Sequence, residues 1–236
     1  MNVEIWSDVV CPWCYVGKRQ FEEALGRFAH ADEVTVAWRS FELDPSSPRE
    51  VGMSMDRILE RKYGMSAEQA RSANQQMTAL AAGVGLEYHL DQVRPGNTFD
   101  AHRLIHLAAT HSRSDLMKER LLAAYFSEGQ SVGDHPTLAK LAVEVGLDPA
   151  EVDEMLAGEA FAAEVRDDEA RAVALGATGV PFFVIDRTYG VAGAQGPDVL
   201  LGALERAWSE SHPVTFLTAP VPDAGEGTGA EGACTV

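Results

Sequence analysis

Ser7-Asp8-Val9-Val10-Cys11-Pro12-Trp13-Cys14-Tyr15-Val16-Gly17 decides how the rest of the chain is read. Upstream, Val3 and Ile5 with Trp6 beside them predict a short buried strand. Downstream, Phe21, Leu25 and Phe28 recur at helical spacing, so the Cys-x-x-Cys stands where a strand hands over to a helix. Proline suits the first helical position, where its missing N–H would have had no partner. Cys11 is thereby predicted at the N-cap and Cys14 one turn in, with the sulfurs facing each other. A pair in that context points to a redox dithiol.

Working outward, Val34–Leu43 is rich in β-branched and aromatic residues and is closed by Asp44-Pro45, which predicts a second strand and a βαβ unit. The next strand signal is Phe182–Asp186, more than 130 residues on, far beyond an ordinary connection. Helical signals fill the interval. They predict helices at Asp56–Tyr63, from the Ser66–Gln69 capping box to Gly83, and after caps at Thr98 and Ser114. Others are predicted from Pro136 to Gly146 and from Asp148 to Gly158. Residues 51–158 thus read as an inserted helical subdomain, and 1–50 with 159–212 as the domain that receives it. A helix at Ala160–Leu175 is followed by Phe182–Asp186, a turn at Arg187-Thr188, a strand at Tyr189–Ala192 and a helix from Pro197 to Trp208. The Pro-, Gly- and acid-rich stretch at 213–236 predicts a disordered tail.

The 236 residues include 46% hydrophobic and 23% charged residues, an ordinary globular composition. A formal charge of −17 argues against nucleic acid or an anionic membrane surface as partner. The first residues show no basic region followed by a long apolar one, which predicts no secretory signal and a cytoplasmic location. There a cycling disulfide is more plausible than a structural one.

The β-α-β…α-β-β-α order with this dithiol, together with Asn97-Thr98-Phe99-Asp100-Ala101-His102-Arg103-Leu104 and Thr178-Gly179-Val180-Pro181-Phe182-Phe183, resembles the FrnE-like, cytoplasmic DsbA-type proteins. The resemblance implies an α/β thioredoxin-like fold with an inserted helical subdomain, and a thiol–disulfide oxidoreductase. It also implies a cis Val180–Pro181 bond opposite the dithiol, with Val180 available to an extended substrate.

Exchange needs a thiolate and a resolving thiol. Cys11, expected to be the more exposed at the helix terminus, is the expected nucleophile, and Cys14 the resolving residue. The terminus stabilises a thiolate by at most about 2 kcal/mol, and no basic residue lies between the cysteines to add to it. Pro12, Trp13, Val180 and Pro181 are the expected substrate contacts, with Tyr15 and Trp6 as further candidates. The partner is a protein or small molecule bearing a disulfide or thiol, glutathione included.

Asp8, Glu4 and Glu42 are candidates for a buried acid serving Cys14. His102 and His106 have metal-like spacing but lack a third ligand, so His102 reads as a hydrogen-bonded packing residue. No metal or cofactor is expected. Cys234 reads as an inert thiol, with shuttle and intermolecular roles open. Two other functions remain open: a glutathione-dependent isomerase or transferase of the hydroxychromene-carboxylate or kappa type, and a chaperone-like peptide binder.

Overall fold

The computed structural model describes residues 1–213. Cys234 and nearly all of the compositional tail lie outside the described residues. Strand β1 (Asn2–Ser7) is central in a four-stranded sheet. It pairs in parallel with β2 (Thr35–Ser40), reached through helix α1 (Pro12–Arg27). On its other side it pairs antiparallel with β3 (Phe182–Ile185), which continues into β4 (Tyr189–Ala192), giving the order β2-β1-β3-β4. Successive side chains of β1 point to opposite faces. Val3 and Ile5 join the main core, which also holds Phe21 of α1 and Leu204 of α9 (Pro197–Ser211). Trp6 joins Phe182, Val184 and Ala172 of α8 (Ala162–Ala174) in a smaller cluster.

Two strand boundaries differ from the sequence expectation. β2 stops at Ser40, not Leu43, because side chains replace the ladder. Asp168 accepts the Ser40 N–H at 3.0 Å, Glu169 that of Glu42 at 3.0 Å and Asp8 that of Leu43 at 2.8 Å. The β3–β4 turn is centred on Asp186 and Arg187, one residue earlier than expected, and both have positive φ (46° and 57°). That is the turn hand that matches strand twist. Asp186 fits it because aspartate tolerates the left-handed region and its carboxylate also accepts the Asn2 N–H.

Between β2 and α8 run α2 (Met55–Tyr63), α3 (Ala67–Gly83), α4 (Phe99–Thr110), α5 (Ser114–Phe126), α6 (His135–Glu144) and α7 (Pro149–Ala157). The Ser66–Gln69 capping box is formed, and Asp134 and Asp148 cap α6 and α7. Thr98 and Ser114 do not cap. Asn97 accepts the Phe99 N–H instead, and Ser114 is already helical with Arg113 before it. Helix α5 packs on β2 and α4 on α8, so the insertion shares one continuous core with the sheet.

One buried side chain fastens this join. Arg103 on α4, 3% exposed, donates to the carbonyls of Met155, Gly158 (2.6 Å) and Ala160 (2.7 Å), and pairs with Asp100. These carbonyls end α7 and lead into α8, where the last turn lacks intrahelical donors. Arg103→Met is expected to destabilise the protein by about 2–4 kcal/mol, since it strands several buried acceptors at once. An unchanged urea midpoint would show that water satisfies them equally well.

Candidate active site

Cys11 is the N-cap of α1, with extended backbone angles (φ −90°, ψ 113°), and Pro12 follows at the first helical position. The corner from Ser7 to Cys14 is tied by Cys11 N–H to Asp8 O at 3.4 Å and Cys14 N–H to Cys11 O at 3.0 Å. Both cysteines are free thiols. Across from them, antiparallel pairing of β3 with β1 sets Val180 over the dithiol, and the Cys11 thiol donates to the Val180 carbonyl at 3.6 Å. The Val180–Pro181 peptide is cis. Pro181 is buried with its ring against α1, so close that a Cβ on Gly17 would fall 2.8 Å from Pro181 Cγ. A glycine at position 17 therefore sets the distance between the helix and the loop before β3.

Cys11 is the more exposed of the two thiols, as the sequence predicts, but only slightly: it is 4% exposed, against 1% for Cys14. The helical insertion is the reason, because α2 and α3 roof a groove of about 1100 Å³ over the corner. Cys11, Pro12, Trp13 and Val180 line that groove with a methionine-rich wall that includes Met55 and Met77, and Cys14 stands behind them. Trp13 is 47% exposed. Tyr15 instead points into the α1–α5 interface, where its hydroxyl donates to Glu119 at 2.6 Å. Trp6 is a core residue whose indole N–H donates to the Asp168 carbonyl at 2.7 Å.

Beneath the dithiol lies a buried polar cluster. Asp8 is 1% exposed, accepts from Leu43 N–H and lies 3.3 Å from His102 Nε2. Burial alone would raise its pKa, but the His102 contact, the Leu43 N–H and the Lys118 charge together hold it below the usual aspartate value. Glu4 and Glu42 are taken up elsewhere, Glu4 by Arg39 and Arg171 and Glu42 by Arg166. Of the three candidate acids, Asp8 is the one placed at the dithiol. His106 is bound to Ser40 and Asp168, away from His102's partner.

Cys14 is pushed well above its ordinary value, first by burial and then by its contact with the Cys11 sulfur; the Lys118 charge and the Asp8 backbone pull the other way. Lys118 on α5, 1% exposed, donates to the Ser7 carbonyl at 3.0 Å. Burial brings its pKa down to about 8, against the opposing pull of Cys14, Asp8 and Cys11. Tyr88, just after α3, donates its hydroxyl to the Pro12 carbonyl at 2.8 Å. Sequence reading missed both residues. For Lys118 the signal was its place on the apolar stripe with Met117, Leu121 and Leu122; for Tyr88, in a connection, there was none.

These features coincide with known proteins. The family model described as a DSBA-like thioredoxin domain matches residues 2–205. The uncharacterized protein YwbO of Bacillus subtilis (strain 168) is 31% identical over 206 residues, which cover 86% of this chain and 96% of YwbO. The crystal structure of the probable DsbA oxidoreductase SCO1869 from Streptomyces coelicolor superposes with a TM-score of 0.87 at 48% identity, over 94% of this chain and 97% of that one. The cytosolic disulfide reductase DsbM from Pseudomonas aeruginosa shares the fold at 19% identity, with a TM-score of 0.62 over 89% of this chain and 100% of its own. A match running from the first strand into the last helix makes this chain a member of the DsbA-like thioredoxin-domain family.

Proposed function

We propose that the protein is a FrnE-like, cytoplasmic thiol–disulfide oxidoreductase that works through Cys11 and Cys14. The observation that carries this reading is a pair of free thiols at a helix N-terminus, with Cys11 on the floor of a groove and against the Val180 carbonyl. Cys11 attacks one sulfur of a bound disulfide; the S–S bond breaks and the first substrate sulfur leaves as a thiol. Cys14 then attacks Cys11 Sγ, releasing the second and closing the Cys11–Cys14 disulfide. The substrate gains the two electrons that the dithiol loses, and the reverse sequence oxidises a substrate dithiol.

Cys11, as the N-cap, leads into the first turn, whose N–H groups have no intrahelical acceptor. Val180, at the groove wall, offers backbone to an extended substrate, and Trp13 and Pro12 border its path. The groove is at the upper end of small-molecule pockets, so it admits a polypeptide segment as well as a glutathione-sized molecule. Methionines suit such a wall because they repack around varied side chains. The cytoplasmic assignment is supported by the likeness to the cytosolic disulfide reductase DsbM; among the described residues no helix is long and apolar enough to cross a membrane. The intact cysteine pair speaks against the glutathione-dependent isomerase reading, which needs no resolving thiol.

With glutathione disulfide as the probe, Cys14→Ser is expected to accumulate a glutathionyl adduct on Cys11, seen by intact mass. Cys11→Ser is expected to accumulate none, and full exchange activity in both variants would remove the assignment. Gly17→Ala supplies a geometric test. Alanine is the better helix former by about 1 kcal/mol, yet its methyl displaces Pro181 from α1. Slower reaction of Cys11 with glutathione disulfide, by about tenfold to a hundredfold, is the expected result. A wild-type rate would mean that the Pro181 spacing is immaterial.

A further inference from the structure

Two lysines lie on the ring of Trp38 in β2, each about as far from it as the other: Lys18 Nζ at 5.8 Å and Lys118 Nζ at 5.7 Å from the centroid. Both are almost fully buried, at 2% and 1% exposure. Their surroundings differ sharply. Lys18 is neutralised by Glu22, Asp115 (3.4 Å) and Glu119 (3.0 Å). Lys118 has one hydrogen bond, to the Ser7 carbonyl, and among the described residues no carboxylate forms an ion pair with it. A buried ammonium with one acceptor for its three donors is a standing destabilisation, and an apolar side chain of the same length would remove it.

What lies nearby gives that charge a use. Ser7 immediately precedes Asp8, and the groups whose charges act on Lys118 are Cys14, Cys11 and Asp8, with Lys18 opposing them. Asp8 is already engaged by Leu43 N–H and His102 from α4, and Lys18 by its three acids. Cys14 and Cys11 are left with no other counter-charge among the described residues, and of the two the Lys118 charge acts more strongly on Cys14. Cys14 is also the group that must ionise in a buried place for exchange to finish, and its own surroundings resist this.

We propose that Lys118, delivered by the helical insertion, is a charge-positioning residue whose buried ammonium balances the Cys14 thiolate while the mixed disulfide is resolved. This rests on the dithiol reading above. In the step concerned, the Cys14 S–H gives up its proton to water and its sulfur attacks Cys11 Sγ. The Cys11–substrate S–S bond breaks, and the departing thiolate takes up a proton from water. Lys118 neither gains nor loses one; it lowers the energy of the charge held on Cys14.

The two halves of the reaction separate with 5,5′-dithiobis(2-nitrobenzoate). Attack by Cys11 releases one coloured thionitrobenzoate, and resolution by Cys14 releases a second. In Lys118→Met the first release is expected to change much less than the second, because the Lys118 charge acts less strongly on Cys11 than on Cys14. The second is expected to slow by about threefold to thirtyfold, since an opposite charge shifts a neighbour by one to three pKa units and lost thiolate is partly offset by greater nucleophilicity. The deficit is expected to shrink as pH rises through about 8, where wild-type Lys118 loses its charge.

Stability moves the other way. Lys118 has a lower pKa folded than unfolded, so below about 8 its burial destabilises wild type, and the penalty is relieved as pH climbs toward the unfolded lysine value. Because Lys118→Met also removes the donor to the Ser7 carbonyl, the readout is the pH dependence: wild type is expected to gain stability relative to Lys118→Met as pH climbs from about 8 toward the unfolded lysine value, and parallel stability curves would reject a buried charge at this position.

Equal second-release rates in the two proteins, or equal slowing of both releases, would overturn the role of Lys118 and leave the dithiol reading intact. Absence of the first release from wild type would overturn both. Should Lys118→Met not fold, Lys118→Arg must keep the fast second release and Lys118→Gln must lose it; any other order rejects the proposal.

Discussion

The corner between β1 and α1 turns inside the protein, and its backbone polar groups must be satisfied there without water. A buried carbonyl left unpaired costs about 1–3 kcal/mol, so a chain that hides a pair of thiols in such a corner has to bring donors to it. Here they come from a distance: Lys118 to Ser7 and Tyr88 to Pro12, the first from helix α5 and the second from the connection after α3. The Asp8 carboxylate runs the same logic in reverse, accepting the Leu43 N–H where β2 has stopped pairing. The insertion does more than roof a groove, because it completes the hydrogen bonding of the segment that carries Cys11 and Cys14.

Charge is distributed to match. The chain carries a formal charge of −17, yet several of its cations point inward. Lys18, Arg103 and Lys118 are all at most 3% exposed. Lys18 and Arg103 join elements and are matched by carboxylates or converging carbonyls, as burial of a charge requires. Lys118 breaks that pattern, and it does so beside the thiols. Departures from full satisfaction tend to gather where function needs them.

Local rules carried the sequence reading a long way. The strand-to-helix hand-over, proline at the first turn, the Ser66 capping box and the helical interval between β2 and α8 all follow from patterns within a few residues. What escaped depends on contacts between distant segments. β2 was read too long because its last residues look like strand, while Asp168, Glu169 and Asp8 claim their N–H groups. Cys11 is the more exposed thiol, as a helix terminus predicts, but the roof of α2 and α3 over it was invisible locally. Lys118 hid for a related reason. A lysine on an amphipathic helix is normally solvated, and its partner Ser7 stands 111 residues away in the chain.

The Tyr88 and Lys118 contacts also bear on recombination between relatives. A helical insertion is an obvious cassette, since it leaves and re-enters the sheet domain at two points. Exchanging it by sequence boundaries alone would separate Pro12 and Ser7 from the hydroxyl and the amine that serve their carbonyls. A chimera would then carry an intact Cys-x-x-Cys on a corner with no donors beneath it. The unit that can be transplanted is a set of contacts, and positions 88 and 118 travel with the cysteines even though neither lies in the motif.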